Sequence, residues 1–143
     1  MIVIDASVMV NVLADDGDDG ALARDHVART DLHAPELVDV ETVAALRRRW
    51  LFGDLSDERF ALALDDLEAL ELARFPALPL MRRAYELRAN VTAYEAAYVA
   101  LAEVLRCPLV TADARLARAP GLRCEVQVLR SAPPTTPTPT PAT

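Results

Sequence analysis

Lysine is missing from this chain of 143 residues; all fifteen basic residues are arginine. That absence removes every mechanism that turns on a lysine amine, including a phosphate-loop lysine and the lysine that assists aspartyl phosphorylation in receiver domains. Cysteine is scarce. Cys107 and Cys124 are the only two, in no CxxC arrangement and each just ahead of an expected strand. They read as buried free thiols, which suits a reducing compartment. His26 and His33 have no metal-ligand spacing and belong to no Ser-His-Asp or Cys-His set, so both read as structural or exposed. No apolar run approaches the roughly 20 residues that span a bilayer, and the amino terminus meets a charge at Asp5 before any stretch of signal-peptide length. No membrane association is expected, and the expected location is the cytoplasm. No internal repeat is evident.

What is present fits one soluble domain. An apolar content of 52% with 26% charged residues is ordinary for a globular protein, and 143 residues suffice to bury a core without disulfides or structural metal. The net charge of −7 is local, because Asp15, Asp16, Asp18 and Asp19 crowd one turn. From Ser131 onward the composition turns to Ala, Pro and Thr, which cannot join a sheet. The expected organisation is a folded domain over residues 1–130 and a Pro/Thr-rich flexible tail over 131–143.

Strand and helix alternate along the domain. Met1 to Ile4 reads as a strand ending at Asp5, followed by a helical stretch led by Ser7 toward Ala14. Gly20 to Thr30 reads as a helix with Leu22, His26 and Val27 inward, Leu32 to Ala34 as a strand, and Pro35 is placed to open the next helix, which runs from Glu36 to Leu51. Ser56 caps a helix reaching Leu70; Glu71 to Phe75 reads as an edge strand and Leu80 to Ala89 as a helix. A helix from about Ala93 to Arg106, a strand Leu109 to Thr111, a short helix Ala114 to Ala119 and a strand Glu125 to Leu129 complete it. Such alternation means a parallel sheet wrapped by helices.

Four acids stand out against this frame. Asp5 and Asp113 follow apolar strands, and in parallel sheets ligands gather at the carboxyl ends of strands. Glu41 and Glu95 sit early in helices expected to point at the same end. Two like charges about 4 Å apart cost roughly 4 kcal/mol at an effective dielectric near 20, so carboxylates share a pocket only with a cation or with protons. Hard oxygen donors favour Mg²⁺ or Mn²⁺. Ser7 is open to two readings, a hydroxyl beside the acids or a helix N-cap. Asp39, Glu36 and Glu103 read as surface charges. Tyr94 and Tyr98, four apart on one helix face, suit packing, dimer contact or base stacking.

Four segments together resemble PIN-domain toxins of the VapC type: Ile4-Asp5-Ala6-Ser7; Ala34-Pro35-Glu36-Leu37 with Glu41 and Ala45-Leu46-Arg47-Arg48; Asn90 to Glu103; and Pro108-Leu109-Val110-Thr111-Ala112-Asp113. The match runs from Met1 to about Leu129. Each motif is short, and their order and spacing carry the resemblance. It implies an α/β fold, a PIN-like three-layer sandwich whose central, mostly parallel sheet of four to five strands is flanked by helices. It also implies a metal-dependent endoribonuclease using Mg²⁺ or Mn²⁺, the toxin half of a toxin–antitoxin pair, dimeric and held inactive by a VapB-type antitoxin. Asp5, Glu41 and Asp113 match the family's acids, with Ser7 and Thr111 as nearby hydroxyls for substrate or for orienting an acid. Arg47, Arg48, Arg49, Arg82, Arg83 and Arg88 are candidates for RNA phosphates or an acidic antitoxin segment.

The remaining acid departs from the pattern. Such toxins usually carry aspartate in the Tyr-Asp-Ala-Ala-Tyr motif, and here the residue is Glu95. The extra methylene moves the carboxylate by about 1.5 Å, and a displacement near 1 Å can cost roughly 10²-fold in rate. Thr92-Ala93-Tyr94-Glu95 is also a capping-box pattern, so Glu95 has two open readings: metal ligand or helix cap. The alternative to an active nuclease is therefore a weakened or inactive PIN-domain protein that binds antitoxin or RNA without cutting. A receiver domain is excluded by the missing lysine, and an aspartate-nucleophile phosphatase by Ser7 in place of its second aspartate.

Overall fold

Ile2, Val3 and Ile4 form strand β1 (Ile2–Ile4), and all three are buried. A strand covered on both faces needs such an unbroken apolar run. The computed structural model describes residues 1–132, so the expected tail lies, after Ser131 and Ala132, outside the described residues. The remaining strands are β2 (Leu32–Pro35), β3 (Leu72–Phe75), β4 (Leu109–Thr111) and β5 (Val126–Val128). All pair in parallel in the order β3-β2-β1-β4-β5, with Val3 opposite Leu109 and Ile4 opposite Val110.

Among the described residues six α-helices connect and flank the sheet: α1 (Ala6–Ala14), α2 (Asp18–Val27), α3 (Leu37–Leu51), α4 (Asp57–Ala69), α5 (Met81–Glu86) and α6 (Ala93–Leu105). The chain moves outward from β1 through β2 to β3, then crosses back through α5 and α6 to β4. Because parallel crossovers are right-handed, that reversal puts α6 on the opposite face from α1 to α4 and opens a crevice beside β1 and β4. Seven consecutive residues of α6, Ala96 to Ala102, are buried against β1, β2 and β4. Helices α2, α3 and α4 pack on α1. Among the described residues no helix is long and apolar enough to cross a membrane.

Local chemistry moves several expected boundaries. Helix α2 starts at Asp18, since Asp18 and Asp19 suit its positive first turn and Asp15 Oδ1 accepts from the Gly17 and Gly20 amides at 2.7 and 3.2 Å. Gly20 is required there, because a Cβ would lie 1.8 Å from the Asp15 carbonyl oxygen. The acidic turn is thus in part a helix cap. Ala23 is the fully buried apolar side chain of α2, while Leu22, His26 and Val27 are half-buried. Pro35 closes β2 and does not open a helix: it pairs with Phe75, and the Glu36 amide still donates to the Phe75 carbonyl at 2.8 Å. The expected Leu80 to Ala89 helix is a 3₁₀ turn at Leu78–Leu80, opened by Pro79, followed by α5. Ala114 to Ala119 yields only a 3₁₀ turn, Leu116–Arg118, because the Asp113 side chain captures the Arg115 amide and Pro120 follows.

Candidate active site

Asp5 is the N-cap of α1, accepting the Val8 amide at Oδ1 (3.1 Å). Ser7, inside the first turn, is not the cap. Its hydroxyl donates to Asp5 Oδ1 at 2.5 Å and accepts the Ala112 amide at 3.0 Å. Thr111, the last residue of β4, is built the same way: its hydroxyl donates to Asp5 Oδ2 at 2.5 Å and accepts the Asp113 amide at 3.0 Å. Two amide-to-hydroxyl-to-carboxylate relays therefore lock Asp5 to the end of β4. Of the two expected uses of these hydroxyls, substrate contact or orienting an acid, these bonds perform the second.

Around Asp5 opens a cavity of about 330 Å³, lined also by Ser7, Glu41, Arg48, Glu95, Tyr98 and Asp113. All four acids selected from the sequence face it. Glu41, on the second turn of α3, accepts the Tyr98 phenol at Oε1 (3.0 Å). Glu95, in the first turn of α6, completes the capping box: Thr92 Oγ1 accepts the Glu95 amide at 3.1 Å, and Glu95 Oε2 accepts the Thr92 amide at 2.9 Å. Its other oxygen meets Arg115 Nη2 at 2.6 Å, and the same nitrogen lies 3.2 Å from Asp113 Oδ2. Glu95 thus caps its helix and lines the cavity at once.

The acids differ in electrostatics. Burial pushes Asp5 above the ordinary carboxylate range despite the hydroxyl and amide bonds that oppose it. Burial also raises Glu41, the charges of Asp5 and Glu95 add to the effect, and the Tyr98 phenol opposes it. Tyr98 is held protonated by burial and by the Glu41 and Asp5 charges. Asp113 moves the other way, held low by the Arg115 amide and then by its guanidinium. Among the described residues no three Asp, Glu, His or Cys side chains stand as a finished metal cluster. The donor set nevertheless suits a hard divalent cation: acid oxygens from four elements converge on one cavity, and Asp5 and Glu41 have no cationic partner among the described residues.

A model of the PIN domain matches residues 2–122. The chain belongs to the PIN-domain family. Within it, the relatives are VapC ribonucleases. Ribonuclease VapC1 of Mycobacterium tuberculosis is 43% identical over 129 residues, covering 90% of this chain and 97% of the relative. Two solved structures share the fold. VapC20 of M. tuberculosis, a sarcin–ricin loop cleaving toxin, has a TM-score of 0.65 at 14% identity, covering 81% of this chain and 92% of that one. VapBC2 of Rickettsia felis, bound to a DNA fragment from its promoter, has a TM-score of 0.61 at 17% identity, covering 88% and 98%.

Several selected residues do other work in this PIN domain. Arg83 pairs with Glu103 at 2.8 Å and with Glu86 at 2.9 Å, and donates to the Gly121 carbonyl at 2.8 Å. It ties α5 to α6, so neither Arg83 nor Glu103 is a free surface charge. Arg49 donates to the Ala14 carbonyl, and Arg88 lies 4.0 Å over the Tyr85 ring. Asp39 pairs with Arg74, and Glu36 accepts the Ala77 amide. Of the arginine run, Arg48 lines the cavity. Tyr94 is exposed whereas Tyr98 is buried, which separates two residues that share a spacing. Arg115 escaped sequence reasoning. Its signal was its place two residues after Asp113, where the local Asx turn folds it back.

Proposed function

We propose that this VapC-type endoribonuclease cuts RNA at the cavity between β1 and β4, with Asp5, Glu41, Glu95 and Asp113 as the acids that hold Mg²⁺ or Mn²⁺. The observation that supports it best is the convergence of the four carboxylates on one crevice at the reversal of strand order. When bound, the cation would supply Lewis acidity toward the scissile phosphate and a more acidic water. Asp5 keeps its orientation through Ser7 and Thr111. Glu41 suits proton acceptance: its pKa is raised, and Oε2 has no donor among the described residues while Oε1 is fixed by Tyr98. Arg48, at the cavity wall, suits a phosphate oxygen. Attack by water leaves a 5′-phosphate and a 3′-hydroxyl.

The partners follow from the family. A VapB-type antitoxin would hold the toxin inactive in the cytoplasm, as the VapBC2 relative's pairing supports, and exposed Trp50, Leu51, Phe52 and Leu62 on or just after α3 and α4 give it apolar surface. The active form would be a homodimer. A second reading, binding without cleavage, has one observation in its favour: both Glu95 oxygens are already engaged. Cleavage of total RNA with Mn²⁺, with end-group mapping, separates the two. Products with 5′-phosphates that disappear for Asp5→Asn support the nuclease. A wild type that leaves RNA intact in Mn²⁺ supports the binder.

A further inference from the structure

The Arg115 guanidinium closes a bridge across one side of the cavity. Nη2 joins Glu95 Oε1 at 2.6 Å to Asp113 Oδ2 at 3.2 Å, and the Arg115 amide holds Asp113 Oδ1 at 2.8 Å. Glu95 is pinned from its other oxygen by the Thr92 amide. Glutamate suits this double attachment: an aspartate is shorter by one carbon–carbon bond, about 1.5 Å, and reaches the helix cap and the arginine together less well. Asp5 and Glu41 pair with no arginine among the described residues. The cavity therefore has a half whose negative charge is partly offset by one guanidinium and a bare half.

A cation that takes oxygens from Asp113 or Glu95 has to compete with this guanidinium. The Arg115 side chain is 71% exposed, so it can leave for water without breaking the core. Exposed pairs of this kind are weak enough to be displaced and strong enough to matter to a binding constant. We propose that Arg115 is an intramolecular counter-cation that competes with the divalent metal for Glu95 and Asp113 and so sets the metal concentration at which the site fills. This rests on the reading that the cavity binds a metal.

Titration of metal-free protein with Mn²⁺, following the free-ion signal by electron paramagnetic resonance, tests it without RNA. Arg115→Gln is expected to bind Mn²⁺ about fivefold tighter than wild type, as loss of two exposed charge contacts implies, with Arg115→Lys in between because it keeps the charge. Equal or weaker binding by Arg115→Gln, in a wild type that binds, overturns this proposal alone. If neither protein takes up Mn²⁺, the metal reading of the cavity falls and this proposal with it. A loss in Arg115→Gln that Arg115→Lys restores makes Arg115 a support of the site, which also overturns the competition.

Discussion

Glu103 and Asp5 are both carboxylates enclosed by this fold, and they are held in opposite ways. Glu103 receives two guanidinium nitrogens of Arg83, at 2.8 and 3.0 Å, and the Arg123 amide at 2.9 Å. Burial alone would raise it, but Arg83 and the Arg123 amide outweigh that effect and hold its pKa low. Asp5 receives two hydroxyls and an amide but no cationic side chain among the described residues, and its pKa goes up. Identical chemistry is thus satisfied in one place and left in need of positive charge in the other. Glu103 serves the fold, whereas Asp5 is left enclosed without a positive partner among the described residues, the setting that a divalent cation would relieve.

The largest effect expected from this contrast is on catalysis. Asp5→Asn should lower RNA cleavage by more than about 10²-fold, while the metal-free melting temperature changes little, because the amide oxygen still caps α1 and the removed buried charge offsets the acceptor lost to the Thr111 hydroxyl. Parallel fall of activity and stability would erase the distinction. Next in size, Arg83→Met leaves Glu103 without its guanidinium partner and held only by the Arg123 side; its side chain is 13% exposed, so the loss should be roughly 2 to 3 kcal/mol in urea unfolding, somewhat below a fully buried pair. Cleavage per folded molecule should be unchanged.

The pH dependence sharpens the same comparison. A raised acid binds more protons folded than unfolded, so metal-free stability should fall as pH climbs above the ordinary values, 3.8 for Asp5 and 4.5 for Glu41, toward their raised ones. Glu103 acts in reverse: its contribution is present above its ordinary 4.5 and is lost as pH falls through its lowered folded value. Urea melts across pH should show Asp5→Asn flattening the first slope and Glu103→Gln the second. The smallest effect is Tyr98→Phe. Loss of its bond should reduce cleavage by about tenfold or less and move the basic-group limb of the pH–rate profile upward, since the phenol lowers Glu41.

Much of this was legible before any coordinates. Strand runs such as Ile2 to Ile4 and Leu109 to Thr111 are apolar because both faces are covered, so the parallel sheet and the strand-end positions of Asp5 and Asp113 follow from pattern alone. The capping box at Thr92 to Glu95 was equally local. What escaped depends on side-chain reach across elements. Arg83 and Glu103 look like surface charges until α5 lies on α6, and Arg115 looks like any loop arginine until the Asx turn at Asp113 folds it toward Glu95. Tyr98 shares a spacing with Tyr94, yet only Tyr98 faces the core, where its phenol finds Glu41 from another helix.

Mn²⁺-linked melting of wild type beside Asp5→Asn tests most directly whether the bare carboxylates form a cation site. At about 100 times the dissociation constant, Mn²⁺ should stabilise the wild type by roughly 2.7 kcal/mol and leave Asp5→Asn nearly unmoved. A wild type whose unfolding ignores Mn²⁺, or an Asp5→Asn variant stabilised as much as the wild type, would contradict it.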